Sequence, residues 1–238
     1  MHDLRILIKL AATAIGSRST RKFYDRISPY YDRIFRHHLV HASRMSEELD
    51  KLLAKDSLVL DLACGTGAVA GRLKHRGFRV VGLDISLQSL IQLGRNEPEI
   101  AVVQASAAFL PFQPATFDAV TCLGAWRHFG SPEIILSEIS RVLRPGGIFL
   151  VGYFPARLAG LWPVPSGMFG RTVAFLYSHL VHLLNYDDRL TGKNELCGLK
   201  EAFRNVRRID SADGEYLILA EDAARADVAI IKVCNHKS

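Results

Sequence analysis

The chain has 238 residues, of which 49% are hydrophobic and 23% charged, a composition typical of a folded domain that excludes a disordered or low-complexity chain. The net charge of +6 comes with no helix-turn-helix, zinc-finger or RNA-binding signature, so we expect no nucleic-acid partner. The four cysteines lie far apart without CxxC spacing, which predicts free thiols in the cytoplasm and no metal site.

The N-terminal part, residues 1–50, is predicted to be a helical cover over the main domain. Residues 1–51 hold 10 Lys and Arg against 6 Asp and Glu, and the apolar stretch at 4–15 is interrupted by Arg5 and Lys9. Peripheral membrane contact through residues 4–22 is one interpretation, which would place a cytoplasmic protein at the membrane surface; a terminal helix packed on its own chain is the other. The next stretch, "RKFYDRISPYYDRIFRHHL", is predicted to form two short helices separated at Pro29.

From residue 58 onward, apolar runs alternate regularly with helical stretches. The strands are predicted at 58–62, 78–84, 100–105, 117–123 and 147–154, and the helices at 67–76, 86–95 and 132–143. Buried runs separated by helices of about ten residues predict a parallel sheet covered on both faces. We therefore predict an α/β fold with a doubly wound, Rossmann-like, mostly parallel seven-stranded sheet and a ligand at the carboxyl ends of its strands.

The last third of the chain departs from this regular pattern. Residues 155–195 are rich in Pro, Gly and aromatic residues and are predicted to be an insertion that forms a substrate wall within the main domain, which spans 51–238. A helix at 196–204 and strands near 205–210, 215–220 and 227–233 are predicted to follow. His179 and His182 lie three residues apart in the insertion, but no third ligand is near, and we assign no metal.

The glycine-rich turn in "VLDLACGTG" (59–67) contains the most informative residues. Gly65, Gly67 and Ala70 satisfy the G-x-G-x-x-G/A spacing of a dinucleotide site, and Asp84 stands near the expected ribose-binding acid. However, Asp61 would repel a pyrophosphate, whereas it suits a cationic ligand such as the ammonium and sulfonium groups of S-adenosylmethionine. An acid that only caps a nearby helix or turn is the alternative interpretation of Asp61.

Four blocks in this order resemble a known family: "VLDLACGTG", "VVGLDIS", "FLPFQPATFDAV" and "ISRVLRPGGIFLV". Together they are similar to the class I S-adenosylmethionine-dependent methyltransferases over about residues 20–155. Within that superfamily, "FYDRISPYYDRIF" and "LPF" followed by "FDAVTCLGAWRHF" resemble the UbiE-type C-methyltransferases of quinone biosynthesis. The resemblance implies S-adenosylmethionine as the cofactor.

The resemblance also implies which residues bind that cofactor. Asp61 would face its methionine end, the backbone of Gly65 and Gly67 would approach it closely, and Asp84 would accept both ribose hydroxyls. Ser106 stands where the family often has Asp, so the adenine contact would be weaker or would pass to the backbone of Ala107. The other implied contacts, for which core packing is the alternative, are Tyr24, Tyr31, Ala63, Ile85 and Leu123.

Two residues after the fourth strand are candidates for the chemistry. Arg127 matches an arginine of the quinone-type pattern and would hold a phenolate oxygen; His128 stands where that group commonly has Asn and would take a proton near neutral pH. A hydrogen-bonded loop histidine is the alternative for His128. The resemblance thus implies a methyltransferase acting on a lipophilic small molecule, with a quinone-precursor ring favoured. A phospholipid headgroup N-methyltransferase and a non-catalytic cofactor-binding protein are the alternatives.

Overall fold

The computed structural model describes residues 19–34, 38–153, 193–210 and 216–223. Seven strands are described: β1 (Leu58–Leu62), β2 (Arg79–Asp84), β3 (Ala101–Gln104), β4 (Phe117–Leu123), β5 (Leu143–Tyr153), β6 (Phe203–Asp210) and β7 (Tyr216–Ala223). The α-helices of the same ranges are α1 (Thr20–Ile27), α2 (Tyr31–Ile34), α3 (His38–Leu52), α4 (Ala68–His75), α5 (Leu87–Asn96), α6 (Pro132–Val142) and α7 (Lys193–Ala202). Two short 3-10 helices lie at Ser28–Tyr30 and Trp126–His128.

The strands form one sheet in the order β3-β2-β1-β4-β5-β7-β6. Strands β1 to β5 pair in parallel, and β7 runs antiparallel to both of its neighbours. The predicted mostly parallel, seven-stranded α/β sheet is therefore confirmed. The chain order reverses between β1 and β4, and such a switch point leaves a crevice outside the carboxyl ends of the strands where ligands bind.

Both faces of the sheet are covered, and successive residues of a strand bury their side chains on opposite faces. Val59 of β1 packs in one core cluster with residues of α3, α4 and α5. The next residue, Leu60, packs in a second cluster with residues of α6 and α7. This period of two is the geometry that a fully buried strand requires. The apolar run predicted as β1 is thus buried on both faces of the sheet.

Helix α3 is part of the main core although it lies in the N-terminal part of the chain. Met45 and Leu49 are fully buried against the sheet. Arg72 of α4 donates from Nε to the Ser43 hydroxyl at 2.8 Å and ties the two helices together. The domain boundary predicted at residue 50 therefore cuts through a helix that packs with the sheet, and that division stays a prediction.

The largest difference from the predicted elements is at β5, which begins at Leu143 rather than at 147. Leu143 pairs with Phe117 and Ile148 pairs with Ala119, so residues 144–147 bulge out between two paired positions. Gly146, with φ of +76°, permits this path. The "RPGG" stretch has the composition of a turn, but the chain rejoins the same strand after it.

Several predictions concern residues that the structure does not describe. Of the predicted membrane contact at 4–22, residues 4–18 lie outside the described part. Of the insertion at 155–195, residues 155–192 lie outside it, and these include His179 and His182. The strand predicted near 227–233 also lies outside it. Among the described residues, no helix is long and apolar enough to cross a membrane. Within the same ranges, no group of three or more His, Cys, Asp and Glu residues could hold a metal ion.

Candidate active site

A cavity of about 370 Å³ opens at the carboxyl ends of β1, β2 and β4. Most of the residues predicted from the sequence line it: Tyr24, Tyr31, Ala63, Gly65, Asp84, Ile85, Ser106, Ala107, Leu123 and His128. Asp61 and Gly67 do not line it. Arg127 lies in the 3-10 helix Trp126–His128, but its side chain is outside the described part of the chain. The parallel strands thus bring residues from Ala63 to His128 to one cavity, and the N-terminal helices add Tyr24 and Tyr31.

Asp84, the last residue of β2, is held by two backbone hydrogen bonds. Gly65 N–H donates to Oδ2 and Ser86 N–H donates to Oδ1, each at 2.8 Å. Burial raises the pKa of this carboxyl, and the two backbone bonds oppose that rise. A carboxylate has about four acceptor positions, so both oxygens keep capacity to accept ligand hydroxyls. The glycine turn therefore orients the residue predicted to bind ribose.

The two glycines of the turn have different tasks. Gly65 has φ of +54°, and a methyl group added there would meet no atom within 4 Å, because the space beyond it is the cavity. Gly67 has φ of +96°, and a methyl group there would lie 2.3 Å from Cδ1 of Leu93 in α5. Gly65 allows a ligand to approach the backbone, whereas Gly67 allows α4 to begin against α5. Of the two glycines predicted to allow close approach of the cofactor, only Gly65 lines the cavity.

Asp61 lies behind the glycine turn and is almost completely buried. Its carboxylate accepts hydrogen bonds from the Thr121 hydroxyl at 2.9 Å and from Ala70 N–H at 3.0 Å. Burial raises its pKa to about 7, against the effect of both hydrogen bonds. The Ala70 amide lies in the first turn of α4, which needs acceptors for its N–H groups. The alternative interpretation, an acid that caps a helix, describes these contacts better than a direct ligand contact does.

The loop after β3 forms one wall of the cavity and is held in place by α6. Arg141 donates to the carbonyl oxygens of Phe112 and Leu110 at 2.7 and 2.9 Å. Glu138 accepts from Leu110 N–H at 2.7 Å and pairs with Arg141, and chiefly this pairing lowers the pKa of Glu138. Ser106 begins this loop and accepts from Ala108 N–H at 3.3 Å. The Glu138 and Arg141 pair therefore holds the Leu110 and Phe112 end of the loop that begins at Ser106.

The N-terminal helices cover the cavity through two aspartates that the sequence interpretation missed. Asp25 of α1 accepts from the hydroxyl of Ser86, the N-cap residue of α5, at 2.7 Å. Asp32 of α2 accepts from the hydroxyl of Thr66 in the glycine turn. The signal for this pair was present in the sequence, because "YDRI" occurs twice, seven residues apart. The two units bring Tyr24 and Tyr31 into the cavity lining.

His128 meets the cover at the mouth of the cavity. Its Nε2 lies 3.0 Å from the hydroxyl oxygen of Tyr24, a hydrogen-bond distance at which either group can be the donor. The two rings contact each other edge to face, with centroids 5.6 Å apart. A histidine after β4 and a tyrosine of α1 therefore form one unit, which a linear sequence pattern does not show.

The lining of the cavity also contains large apolar residues that the sequence interpretation missed. They are Phe109, Phe129, Ile134 and Ile135. Phe109 is 78% exposed and Ile134 is 48% exposed, although both are large apolar residues. Exposed apolar side chains grouped around a cavity mark a surface that binds an apolar partner. Their signal in the sequence was only that the stretches "AWRHFGSPEII" and "AAFLPF" contain large apolar residues.

Neither described cysteine near the sheet is a candidate nucleophile. Cys64 and Cys122 are free thiols and are buried. Burial raises the pKa of both thiols, so the reactive thiolate is scarce at neutral pH.

The comparisons with known proteins agree with this geometry. A family model described as a methyltransferase domain matches residues 60–151. The chain is 31% identical over 220 residues to the ubiquinone/menaquinone biosynthesis C-methyltransferase UbiE of Syntrophotalea carbinolica, a match that covers 83% of this chain and 91% of that protein. It is 36% identical over 133 residues to demethylmenaquinone methyltransferase of Thermus thermophilus, but spans only 57% of that relative and 53% of this chain.

A solved structure has the same fold. It belongs to a protein of Methanococcus maripaludis that is proposed to be an S-adenosylmethionine-dependent methyltransferase. The two structures superimpose with a TM-score of 0.62 at 16% sequence identity, and the match covers 89% of our chain and 99% of the Methanococcus chain. The chain therefore belongs to the class I S-adenosylmethionine-dependent methyltransferases. Within that family it is similar to the demethylmenaquinone and UbiE-type enzymes. It is a methyltransferase, and its cofactor is S-adenosylmethionine.

The described residues fit this cofactor. Asp84 offers a carboxylate with acceptor capacity at the end of β2, and the backbone at Gly65 is open to the cavity. Ile85, next to Asp84, is 40% exposed and lines the same cavity. A charged acceptor for hydroxyls, an accessible backbone and an apolar surface are what a ribose and a flat base require.

Proposed function

We propose that this methyltransferase methylates a ring carbon of a lipophilic quinone precursor. The observation that carries the proposal is the position of His128, whose imidazole lies in a cavity with large apolar walls. An imidazole is suited to accept a proton near neutral pH, and the apolar walls suit a ring with a hydrocarbon chain. The names of the relatives, a demethylmenaquinone methyltransferase and a C-methyltransferase of quinone biosynthesis, support the same substrate class.

The proposed chemistry needs little from the protein beyond alignment and one proton acceptor. S-adenosylmethionine supplies an electrophilic methyl group. The cavity holds the acceptor ring in line with that group, and such alignment contributes much of the rate of a displacement reaction. A ring carbon that gains a methyl group must lose its hydrogen as a proton, and His128 accepts it. Arg127 holds the phenolate oxygen of the acceptor in this proposal.

The cofactor contacts in the proposal follow the cavity lining. Asp84 accepts from the ribose hydroxyls, Ser106 or the Ala107 backbone contacts the adenine amino group, and Gly65 lies under the methionine part. Tyr24, Tyr31, Ala63, Ile85 and Leu123 complete the enclosure. We assign Asp61 a positioning role, since its hydrogen bonds go to α4 and β4. Contact with a membrane through residues 4–22 belongs to the same proposal, since a lipophilic quinone precursor is located in the membrane.

The test is methyl transfer from labelled S-adenosylmethionine to two acceptors in parallel. Demethylmenaquinol, the reduced form that carries phenol hydroxyls, represents the quinone-precursor ring in detergent, and vesicles containing phosphatidylethanolamine represent the phospholipid headgroup. Label in the quinone fraction supports the proposal, whereas label in the phospholipid overturns it in favour of N-methylation. Binding of S-adenosylmethionine without label in either acceptor also overturns it.

Two variants define what His128 contributes. His128→Gln should lower kcat on the quinone acceptor by about 10²- to 10⁴-fold, the usual contribution of a general base. Arg26→Gln is the matched control, because Arg26 is an exposed residue of α1 outside the cavity lining. Full activity of His128→Gln would remove the base from the mechanism.

A further inference from the structure

The repeated "YDRI" units hold the N-terminal cover at two helix N-termini. Asp25 binds the Ser86 hydroxyl at the start of α5 and also accepts from Gln88 N–H at 3.3 Å. Asp32 binds the Thr66 hydroxyl just before α4. In each unit the preceding residue, Tyr24 or Tyr31, lines the cavity. Each aspartate thus anchors the preceding tyrosine to the domain.

The first unit contacts the proposed base, His128, through the Tyr24 hydroxyl. The Tyr24 hydroxyl and His128 Nε2 are 3.0 Å apart, and the residues are separated by 104 positions in the chain. The edge-to-face ring contact adds a second restraint on the imidazole. Its two nitrogens are distinct, and the partner of one nitrogen determines which of them carries the proton.

We infer that Tyr24 is a positioning residue for His128, and that the hydrogen bond between Asp25 and Ser86 holds it in place. The inference rests on the proposed role of His128 as the base. The Tyr24 hydroxyl selects one orientation and one tautomer of the imidazole, as second partners do for other functional histidines. Because Tyr24 belongs to the cover, the base is oriented only when α1 is docked. Enclosure of the cofactor and completion of the base are therefore one event.

The ionisable groups around His128 are few in the described lining of the cavity. They are Tyr24 and Tyr31 from the cover and Asp84 from β2. Asp25 follows Tyr24 in α1 and accepts from Ser86 at the start of α5. Arg127 adjoins His128 in the chain. Tyr24→Phe keeps the ring of the tyrosine and removes only the hydroxyl, so it changes none of these charges at neutral pH. A change in the titration of His128 in this variant would report the lost hydrogen bond.

The direct test is nitrogen-15 NMR of the His128 imidazole with S-adenosylhomocysteine bound, which needs no acceptor. The His128→Gln spectrum assigns the signal among the nine histidines of the chain. The expected result is one dominant tautomer in the parent protein and in Arg26→Gln, and a mixture of tautomers with a shifted pKa in Tyr24→Phe. An unchanged tautomer and an unchanged titration in Tyr24→Phe would overturn the inference.

Kinetics then separate this inference from the proposed function. Tyr24→Phe should lower kcat by about tenfold and shift its pH profile, with a KM for cofactor within about twofold of the parent value. Asp25→Asn should lower kcat less in the Tyr24→Phe background than in the parent, because the two residues act in series. If His128→Gln is inactive while Tyr24→Phe keeps the parent pH profile, the inference alone fails. If His128→Gln is fully active, the proposed base fails first.

Discussion

The Thr121 hydroxyl of β4 donates a 2.9 Å hydrogen bond to the Asp61 carboxylate of β1, and both side chains are buried. Strands β1 and β4 are adjacent, and Asp61 is directly paired with Thr121 in their register. The bond therefore crosses the switch point of the sheet, beneath the cavity. Ala70 N–H completes the environment of this carboxylate from α4. A polar network at this position connects β1, β4 and the first turn of α4.

Asp61 should make stability depend on pH. Burial raises the pKa of its carboxyl to about 7 in the folded protein from a usual value near 3.8. Between these values the folded state holds a proton that the unfolded chain has lost, so the free energy of unfolding falls as pH rises. For one proton the slope is about 1.4 kcal/mol per pH unit, and it ends above the folded pKa.

Asp61→Asn tests this expectation. Urea unfolding of both proteins from about pH 4 to about pH 8 should give a difference that grows with pH in favour of the variant and then becomes constant. Asp84 is present in both proteins, so the part of its titration that does not depend on the Asp61 charge cancels in the difference. A difference that is constant with pH would show that Asp61 is ionised throughout.

Gly65→Ala and Gly67→Ala should separate ligand binding from folding. Both glycines have positive φ, which costs about 1 to 2 kcal/mol for a residue with a side chain. Gly67→Ala adds a clash with Leu93, so it should lose at least about 2 kcal/mol in the free energy of unfolding. Gly65→Ala places its methyl group in the cavity, so it should bind S-adenosylmethionine about tenfold more weakly. Calorimetry and urea unfolding measure the two effects, and equal effects on binding would contradict the assignment.

Arg141→Ala should loosen the loop that carries Ser106 and Ala107. Removing the guanidinium leaves the carbonyls of Leu110 and Phe112 without this donor, which should cost about 1 to 3 kcal/mol and weaken cofactor binding. The control is Arg144→Ala, whose ion pair with Asp118 is largely exposed and should contribute less than about 1 kcal/mol. Thermal unfolding and cofactor titration check both. Similar losses in the two variants would contradict a special role for Arg141.

Ser28→Ala and Ser46→Ala should change the free energy of unfolding by different amounts or in opposite directions. Both serines are buried, but the Ser28 hydroxyl has no hydrogen-bond partner within the described ranges. Ser46 donates to the Ser43 carbonyl at 2.7 Å and accepts from Arg76 at 3.1 Å. Ser28→Ala should leave stability unchanged or raise it by up to about 1 kcal/mol, whereas Ser46→Ala should lose about 1 to 2 kcal/mol. Equal losses in urea unfolding would show that Ser28 has a partner in the folded protein.

The sequence by itself determined the sheet and the place of the cavity. Buried strands are recognisable because their residues are consecutive in the chain, as in β1 and β4, and the glycine turn follows β1 directly. Once five strands are parallel, their carboxyl ends must meet at one edge, which puts Asp84, Ser106 and His128 close together. These are consequences of short-range patterns, and a single sequence contains them.

Only the tertiary structure decided how individual side chains are used. Asp61 lies beside Thr121 instead of lining the cavity, Gly67 accommodates Leu93, and Tyr24 meets His128 across 104 residues of chain. In each case the partner belongs to a different strand or helix, and the contact depends on register and helix packing. Spacing along the chain carries no record of such distances. The fold was therefore readable from local chemistry, whereas the pairing of the proposed base with its cover was not.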